Sequence, residues 1–253
     1  MCIRDRLKHI VETYDPGVVA FVDEILTQRK KRIHELCSEI IRQGIKFEWI
    51  ANTRADCVDY PLLKHMHRAG CRRIYYGWES GSQRMLDTLK KDLTPEIIVK
   101  TARMTRRAGI WAKVYIIVGS PGETPQDIQE TEKVLKLAAP DLVRISVFNP
   151  LIGTESWDNY QASIDVEDLQ ENYVSSNRSA YKHEHFSQIE LEELRKAMVR
   201  RYERWYYAMP QRVRRQYERI LYYAENPVFG RKRLGRALGI VPGPKKPIVT
   251  NHH

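Results

Sequence analysis

The sequence predicts an α/β fold built on a parallel sheet, and three observations carry that expectation. Short apolar runs alternate with longer amphipathic stretches, as in successive βα units. Three segments, IIRQGIKFEWIANT, MHRAGCRRIYYGWES and MTRRAGIWAKVYIIVGS, repeat one design: a helical pattern ending in basic residues, then Gly44, Gly70 or Gly109, then an apolar strand. Polar and glycine residues also gather at the same end of every such strand. Glycine just past a helix adopts the left-handed conformation cheaply, and basic residues before it suit the negative end of the helix dipole. The spacing of the three segments is unequal, which argues against a solenoid of fixed repeats.

In chain order, strands are expected near Val18–Val22, Lys46–Asn52, Arg73–Trp78, Lys113–Val118 and Leu142–Phe148. Helices are expected near Thr27–Gln43, Tyr60–Ala69, Ser82–Lys90, Pro95–Ala108 and Pro125–Ala139. Thr94-Pro95 and Thr124-Pro125 each supply an N-cap oxygen followed by proline at the first helical position, and Asp127 stands where a capping-box acid would stand. Alternation of this kind implies right-handed crossovers, with the sheet closed as a barrel or open and doubly wound.

Either closure puts ligands at the carboxyl ends of the strands. Those ends read Asp23-Glu24, Asn52-Thr53-Arg54, Gly77-Trp78-Glu79-Ser80, Gly119-Ser120-Pro121-Gly122-Glu123 and Asn149-Pro150. The turn after Gly119 lacks the lysine–serine pair of a Walker loop and the glycine spacing of a Rossmann loop. Its glycines admit a flat ligand or serve only to change direction. Glu79 is placed to accept from ribose hydroxyls, to pair with a ligand ammonium, or to bond backbone donors of its own loop. Arg54 is placed to bind a carboxylate in bidentate fashion, or to pair with Glu79 or Asp56. His65 and His67 lie two apart on a helix and face different ways, so they make no metal pair. His183 and His185 would share a strand face but lack a further ligand.

The chain has 253 residues and a net charge of +10, with ordinary globular composition. Residues 191–253 hold 15 Lys and Arg against 5 Asp and Glu, so the rest of the chain is balanced at 27 of each. No apolar run is long enough to span a bilayer. Cys2, Cys37, Cys57 and Cys71 have no spacing that suggests disulfides or a zinc site, which fits a reducing cytoplasm.

Taken in order, FVDE (21–24), TRADCVDYPLLKHMHRAGC (53–71), YYGWESGSQRMLDTLKK (75–91), AGIWAKVYIIVGSPGETPQD (108–127) and NPLIGTESWD (149–158) resemble the radical S-adenosylmethionine (SAM) superfamily, and within it the branch that often carries a cobalamin-binding domain. The resemblance implies a partial (β/α)6 TIM-like barrel missing its first strand, with a [4Fe-4S] cluster and SAM at the strand ends. It implies reductive cleavage of SAM to a 5′-deoxyadenosyl radical, an electron donor such as flavodoxin or ferredoxin, and cobalamin in the full-length protein. By the same resemblance, Asp23 and Glu24 contact the methionyl amino group, Glu79 with Ser80 meets ribose or the methionyl part, and Ile117 to Glu123 form the adenine side. There Gly119 and Gly122 admit the ligand beside Pro121, and Glu123 braces the turn. Pro150, Gly153 and Thr154 match an element after the sixth strand, and Arg54 and Lys91 match recurrent positions without assigned roles.

The family's CxxxCxxC motif, whose thiolates hold the cluster, has no counterpart in this sequence. Residues 1–6, MCIRDR, read as a non-native start joined to a truncated gene, the alternative being a genuine start on a degenerate paralogue. Residues 7–158 are then the barrel from its second strand onward, 159–187 a connecting segment and 188–253 a basic α-helical extension, broken at Pro210. The extension packs on the barrel, docks at an anionic membrane on its cytoplasmic face, or binds RNA. The expected enzyme is a methylase or cyclase acting on a small-molecule, apolar or lipid-like substrate, inactive as this chain alone. An RNA-modifying methylthiotransferase and a non-catalytic binding barrel are the alternatives.

Overall fold

The computed structural model describes residues 3–164 and 178–202. Five strands, β1 (Val19–Phe21), β2 (Trp49–Thr53), β3 (Cys71–Glu79), β4 (Trp111–Val118) and β5 (Leu142–Val147), form one sheet in the order β1-β2-β3-β4-β5. Every pairing is parallel. Strand order that follows chain order, with right-handed crossovers, places all connecting helices on one face. The sheet is therefore an arc of a singly wound barrel and not a doubly wound sheet, whose order would reverse.

The helices are α1 (Ile3–Tyr14), α2 (Lys30–Arg42), α3 (Tyr60–Arg68), α4 (Gln83–Thr88), α5 (Pro95–Arg107), α6 (Pro125–Ala138), α7 (Glu155–Tyr160) and α8 (Gln188–Tyr202). Their starts follow local chemistry. Asp59, Thr94 and Thr124 cap α3, α5 and α6 by accepting backbone N–H groups three residues on. Thr124 and Asp127 complete a reciprocal capping box. Gly44, Gly70 and Gly109 all take positive φ after α2, α3 and α5. Gly70 also has no room for a side chain, since a Cβ there would lie 2.3 Å from the Phe47 carbonyl oxygen.

Strand alternation sorts the sheet into two faces. Ile74, Tyr76 and Trp78 of β3, Ala112, Val114, Ile116 and Val118 of β4, and Val143, Ile145 and Val147 of β5 are buried against the helices. The Tyr76 hydroxyl bonds Thr105 of α5 at 2.8 Å, which fixes the helix side. Between them stand Arg73, Tyr75 and Gly77, then Trp111, Lys113, Tyr115 and Ile117, then Arg144 and Ser146, all half-buried.

Two regions outside the sheet join the core. Residues 3–14 form α1, whose Leu7 is buried in the core and whose Ile3, partly buried, packs against it. The core also runs beyond residue 158: Leu191 and Met198 of α8 are buried in it. α8 is tied to its neighbours by Arg195, whose Nε donates to the Ile145 carbonyl at 3.0 Å, and by the Arg201–Glu132 ion pair. Pro210 and the remainder of the basic extension lie outside the described residues. No described helix is long and apolar enough to cross a membrane.

Candidate cofactor-binding rim

The β4 end is the most elaborated part of the rim. The strand stops at Gly119 and the chain turns through Gly122, both at positive φ. Glu123 then folds its carboxylate back so that Oε2 accepts the Gly119 N–H at 2.6 Å. The side chain is buried, and burial pushes its carboxyl up to about 7 against the opposing pull of the Gly119 and Ser120 N–H groups. Asp127 stands next along the turn. Burial alone would raise it, but bonds from Arg84, Ser82 and Thr124 outweigh that and hold it well below the usual carboxylate range. Through Asp127 the starts of α4 and α6 are fastened together.

A strap at residues 178–187 crosses the same rim. Asn149 donates to the Arg178 carbonyl at 2.8 Å and accepts from the Ala180 N–H at 3.0 Å. Ser179 donates to the Phe148 carbonyl at 2.6 Å. The His185 N–H bonds His183 Nδ1 at 3.0 Å, so Nδ1 is an acceptor and the ring proton sits on Nε2. That Nε2–H donates to the Ser120 carbonyl at 2.9 Å. Glu184 accepts the Gly122 N–H at 3.2 Å and the Tyr181 hydroxyl at 2.6 Å. None of these contacts is visible as a sequence period, and the reading of 159–187 as a plain connector missed them.

Glu79 closes β3 in an unusual way. The ladder is irregular between Gly77 and Glu79, and Glu79 itself has φ 64°, a conformation costly for a residue with a Cβ. The result swings its carboxylate over Gly77, where an added Cβ would lie 2.5 Å from Oε1. Glu79 meets Lys91 Nζ at 3.0 Å. Of the partners weighed for Arg54, Asp56 is the one it takes, through two parallel bonds of 3.0 and 2.9 Å, with a further bond to the Lys91 carbonyl at 2.8 Å. Glu79 and Arg54 are thus linked only through Lys91.

The other expected rim residues separate into two groups. Asp23 and Glu24 stand exposed beyond β1, without an ion pair to a described residue, and Ile117 faces inward beside Ser146. Pro121 borders a cavity of about 350 Å³ that Phe148 and Tyr160 also line, and Gly122 has open space where a Cβ would stand. Two of the expected residues make packing contacts. The space on the Cβ side of Gly119 is filled by Leu191, 2.8 Å from where a Cβ would stand, so the missing side chain makes room for α8. The Ser80 hydroxyl bonds Thr131 of α6 at 3.1 Å, and so serves helix packing. Pro150 is buried, and Thr154 caps α7 by accepting the Trp157 N–H at 3.2 Å. A larger groove of about 820 Å³ lies between α5 and α6, where Met104 and Leu137 line it away from the strand ends.

SAM and the cluster, two of the implied cofactors, fare differently. A cleft with open backbone at Gly122, a buried Ser120 hydroxyl without a hydrogen-bond partner, and the overturned Glu79 carboxylate suit a nucleoside-like ligand such as SAM. The described cysteines do not suit a cluster. Burial pushes the Cys37 thiol up to about 12 and the Cys71 thiol well above its ordinary value, both inside the helix–sheet core. No group of three His, Cys, Asp or Glu among the described residues is placed to hold a metal.

A singly wound parallel arc with its polar groups at one rim defines a barrel-type α/β domain. The profile of the radical SAM superfamily matches residues 3–135, just over half of the chain, and the chain belongs to that superfamily. The anaerobic magnesium-protoporphyrin IX monomethyl ester cyclase of Cereibacter sphaeroides is 30% identical over 176 residues, 68% of this chain and 29% of the cyclase. An uncharacterized methyltransferase of Pyrococcus horikoshii is 29% identical over 147 residues, 57% of this chain and 32% of that protein. The cobalamin-dependent S-adenosylmethionine radical enzyme OxsB, solved with aqua-cobalamin and S-adenosylmethionine bound, is alike in fold, with a TM-score of 0.51 at 17% identity over 79% of this chain and 31% of that one. The chain spans about a third of the length of the curated relatives it matches.

Proposed function

We propose that this chain is the SAM-holding wall of a radical SAM enzyme of the cobalamin-associated branch, a methylase or cyclase acting on a small-molecule substrate. The observation that carries the reading is Glu79, held at positive φ over Gly77 on the rim where four other polar strand ends converge. Backbone strain of this kind persists where the surroundings over-determine it, and it clusters at ligand sites. The names of the two curated relatives, a cyclase and a methyltransferase, favour the reaction class.

SAM, when bound, supplies the radical chemistry of the superfamily, and the protein's part is to bind, orient and shield it. Glu79 accepts from the ribose or the methionyl ammonium, with Lys91 holding it in place. Asp23 and Glu24 meet the ammonium from across the arc. Ile117 and the turn through Pro121 and Gly122 provide a flat wall for adenine. Arg54 fixes the loop that carries Lys91. A flavodoxin- or ferredoxin-type donor serves the complete enzyme, and the basic segment beyond residue 202 serves peripheral contact with an anionic membrane.

The test is isothermal titration of the 253-residue chain with S-adenosylhomocysteine. Saturable binding is expected, weakened roughly tenfold by Glu79→Ala through loss of a charge-assisted hydrogen bond. Absence of saturable binding, or an unchanged affinity in the variant, sinks the reading. The chain alone is expected to form no 5′-deoxyadenosine from SAM under anaerobic reduction.

A further inference from the structure

We infer that the inward face of β3, β4 and β5 receives a flat, carboxylate-bearing part of the substrate, with Lys113 as its anion contact and Tyr75 and Tyr115 as its stacking surface. This names the substrate class for the reading above and rests on it, because the face lies directly below the proposed SAM rim.

Register sets these side chains next to one another. Arg73 pairs with Trp111, Tyr75 with Lys113, and Gly77 with Tyr115 across the β3–β4 ladder, and Tyr115 pairs with Arg144 across the β4–β5 ladder. Residues paired in a parallel ladder point to the same side. A closed barrel fills such positions with branched apolar residues packed in layers. Here they are aromatic and cationic and only half-buried. A lining of this kind surrounds a ligand space and is not a packed interior.

The charges on the face are unbalanced. Lys113 Nζ lies 4.6 Å from the Tyr75 ring centre and 5.1 Å from that of Tyr115. The Arg73 guanidinium lies 5.5 Å from the Trp111 ring centre. Neither Lys113 nor Arg73 has an ion pair with any described residue. Glu79, whose charge also bears on the Tyr115 phenol, is taken by Lys91 at 3.0 Å. Aromatic faces offset part of the desolvation of a half-buried ammonium, but they leave its charge without a counter-ion. A ligand carboxylate supplies that counter-ion. The two tyrosine rings stand edge to face with centres 6.2 Å apart, so a planar ligand can lie on one ring while its carboxylate reaches the shared lysine.

The experiment uses 1-pyrenebutyrate, a planar fluorescent carboxylate, and its uncharged methyl ester, each titrated into the 253-residue chain, with S-adenosylhomocysteine titrated in parallel. The acid is expected to bind at least roughly tenfold more tightly than the ester, the scale of one charge-assisted contact. Lys113→Met is expected to remove that preference and leave S-adenosylhomocysteine binding unchanged, while Lys133→Met on the outer face of α6 preserves the preference. Equal affinity of acid and ester, or a preference that survives Lys113→Met, overturns the inference. Should Lys113→Met fail to fold, the acid–ester comparison on the unaltered chain decides alone. Failure of S-adenosylhomocysteine to bind, with the acid preference intact, overturns the rim assignment and leaves the anion contact standing.

Discussion

At the carboxyl end of β4 the chain is bound from three sides, by the Glu123 carboxylate, by the 178–187 strap and by Leu191 of α8. Beyond β1, by contrast, Asp23 and Glu24 stand in solvent with no described ion-pair partner. Both ends belong to one rim, yet only the first is built by the chain's own interactions. Preorganised groups act without reorganising when a ligand arrives, whereas exposed carboxylates need the ligand itself to order them. The β4 side should therefore behave as part of the fold, and the β1 side as part of the binding reaction. Substitutions at the two ends test that division.

The largest effect is expected at Glu123. Glu123→Ala leaves the Gly119 and Ser120 N–H groups buried without their acceptor, at a cost of about 3 kcal/mol in unfolding free energy. Glu123 also makes stability depend on pH. Its carboxyl is raised from an ordinary 4.5 to about 7, so the folded chain holds the proton more tightly than the unfolded one. That contribution is fully present below the unfolded value and is lost as pH rises through the folded value. Urea unfolding at pH 5 and pH 8 should show it, with the chain less stable at pH 8 by an amount on the order of 3 kcal/mol and the difference diminished in Glu123→Gln. An unchanged slope in Glu123→Gln would refute the assignment.

Gly119 comes next. Alanine there must adopt φ +75° and place a methyl 2.8 Å from the Leu191 side chain, and about 2 kcal/mol of stability is expected to go. If Gly119→Ala instead weakened S-adenosylhomocysteine binding at unchanged thermal stability, the residue would belong to the ligand and not to α8. The strap follows: His183→Ala removes one buried hydrogen bond to the Ser120 carbonyl, worth about 1 kcal/mol, and should increase protease cleavage within 178–187 before the rest of the chain is attacked.

Much of this arrangement was legible because it is local. Thr94, Thr124 and Asp127 cap helices through contacts three residues long, and Gly44, Gly70 and Gly109 end helices by their own backbone preference. The strand ends were legible for the same reason, since an apolar run and its stop lie within a few residues. What escaped is carried by single contacts across long separations. His183 reaches Ser120 across 63 positions, and Asn149 reaches Ala180 across 31. Polar side chains that make one bond each leave no period to detect. Glu79 was marked as a site residue, but its partner Lys91 depends on a ladder irregularity and a positive φ that no spacing rule anticipates. The inward face shows its alternation plainly in RRIYYG and WAKVYI, but a lysine at a strand centre carries no local signal of what it faces.

The smallest stability effect, and the sharpest contrast, is expected at β1. Asp23→Asn and Glu24→Gln remove exposed charges that hold nothing in the fold, so unfolding free energy should move by less than about 0.5 kcal/mol. Their effect belongs to binding. If the two carboxylates meet a ligand ammonium, the double variant should weaken S-adenosylhomocysteine several-fold and weaken an analogue lacking the amino group hardly at all. Rising ionic strength should narrow the difference between the parent chain and the double variant, because exposed charges are screened while the buried contacts at β4 are not. A salt-independent loss, or an equal loss for the analogue without its amino group, would place Asp23 and Glu24 outside the ligand contact and leave the β4 turn and Glu79 as the working half of the rim.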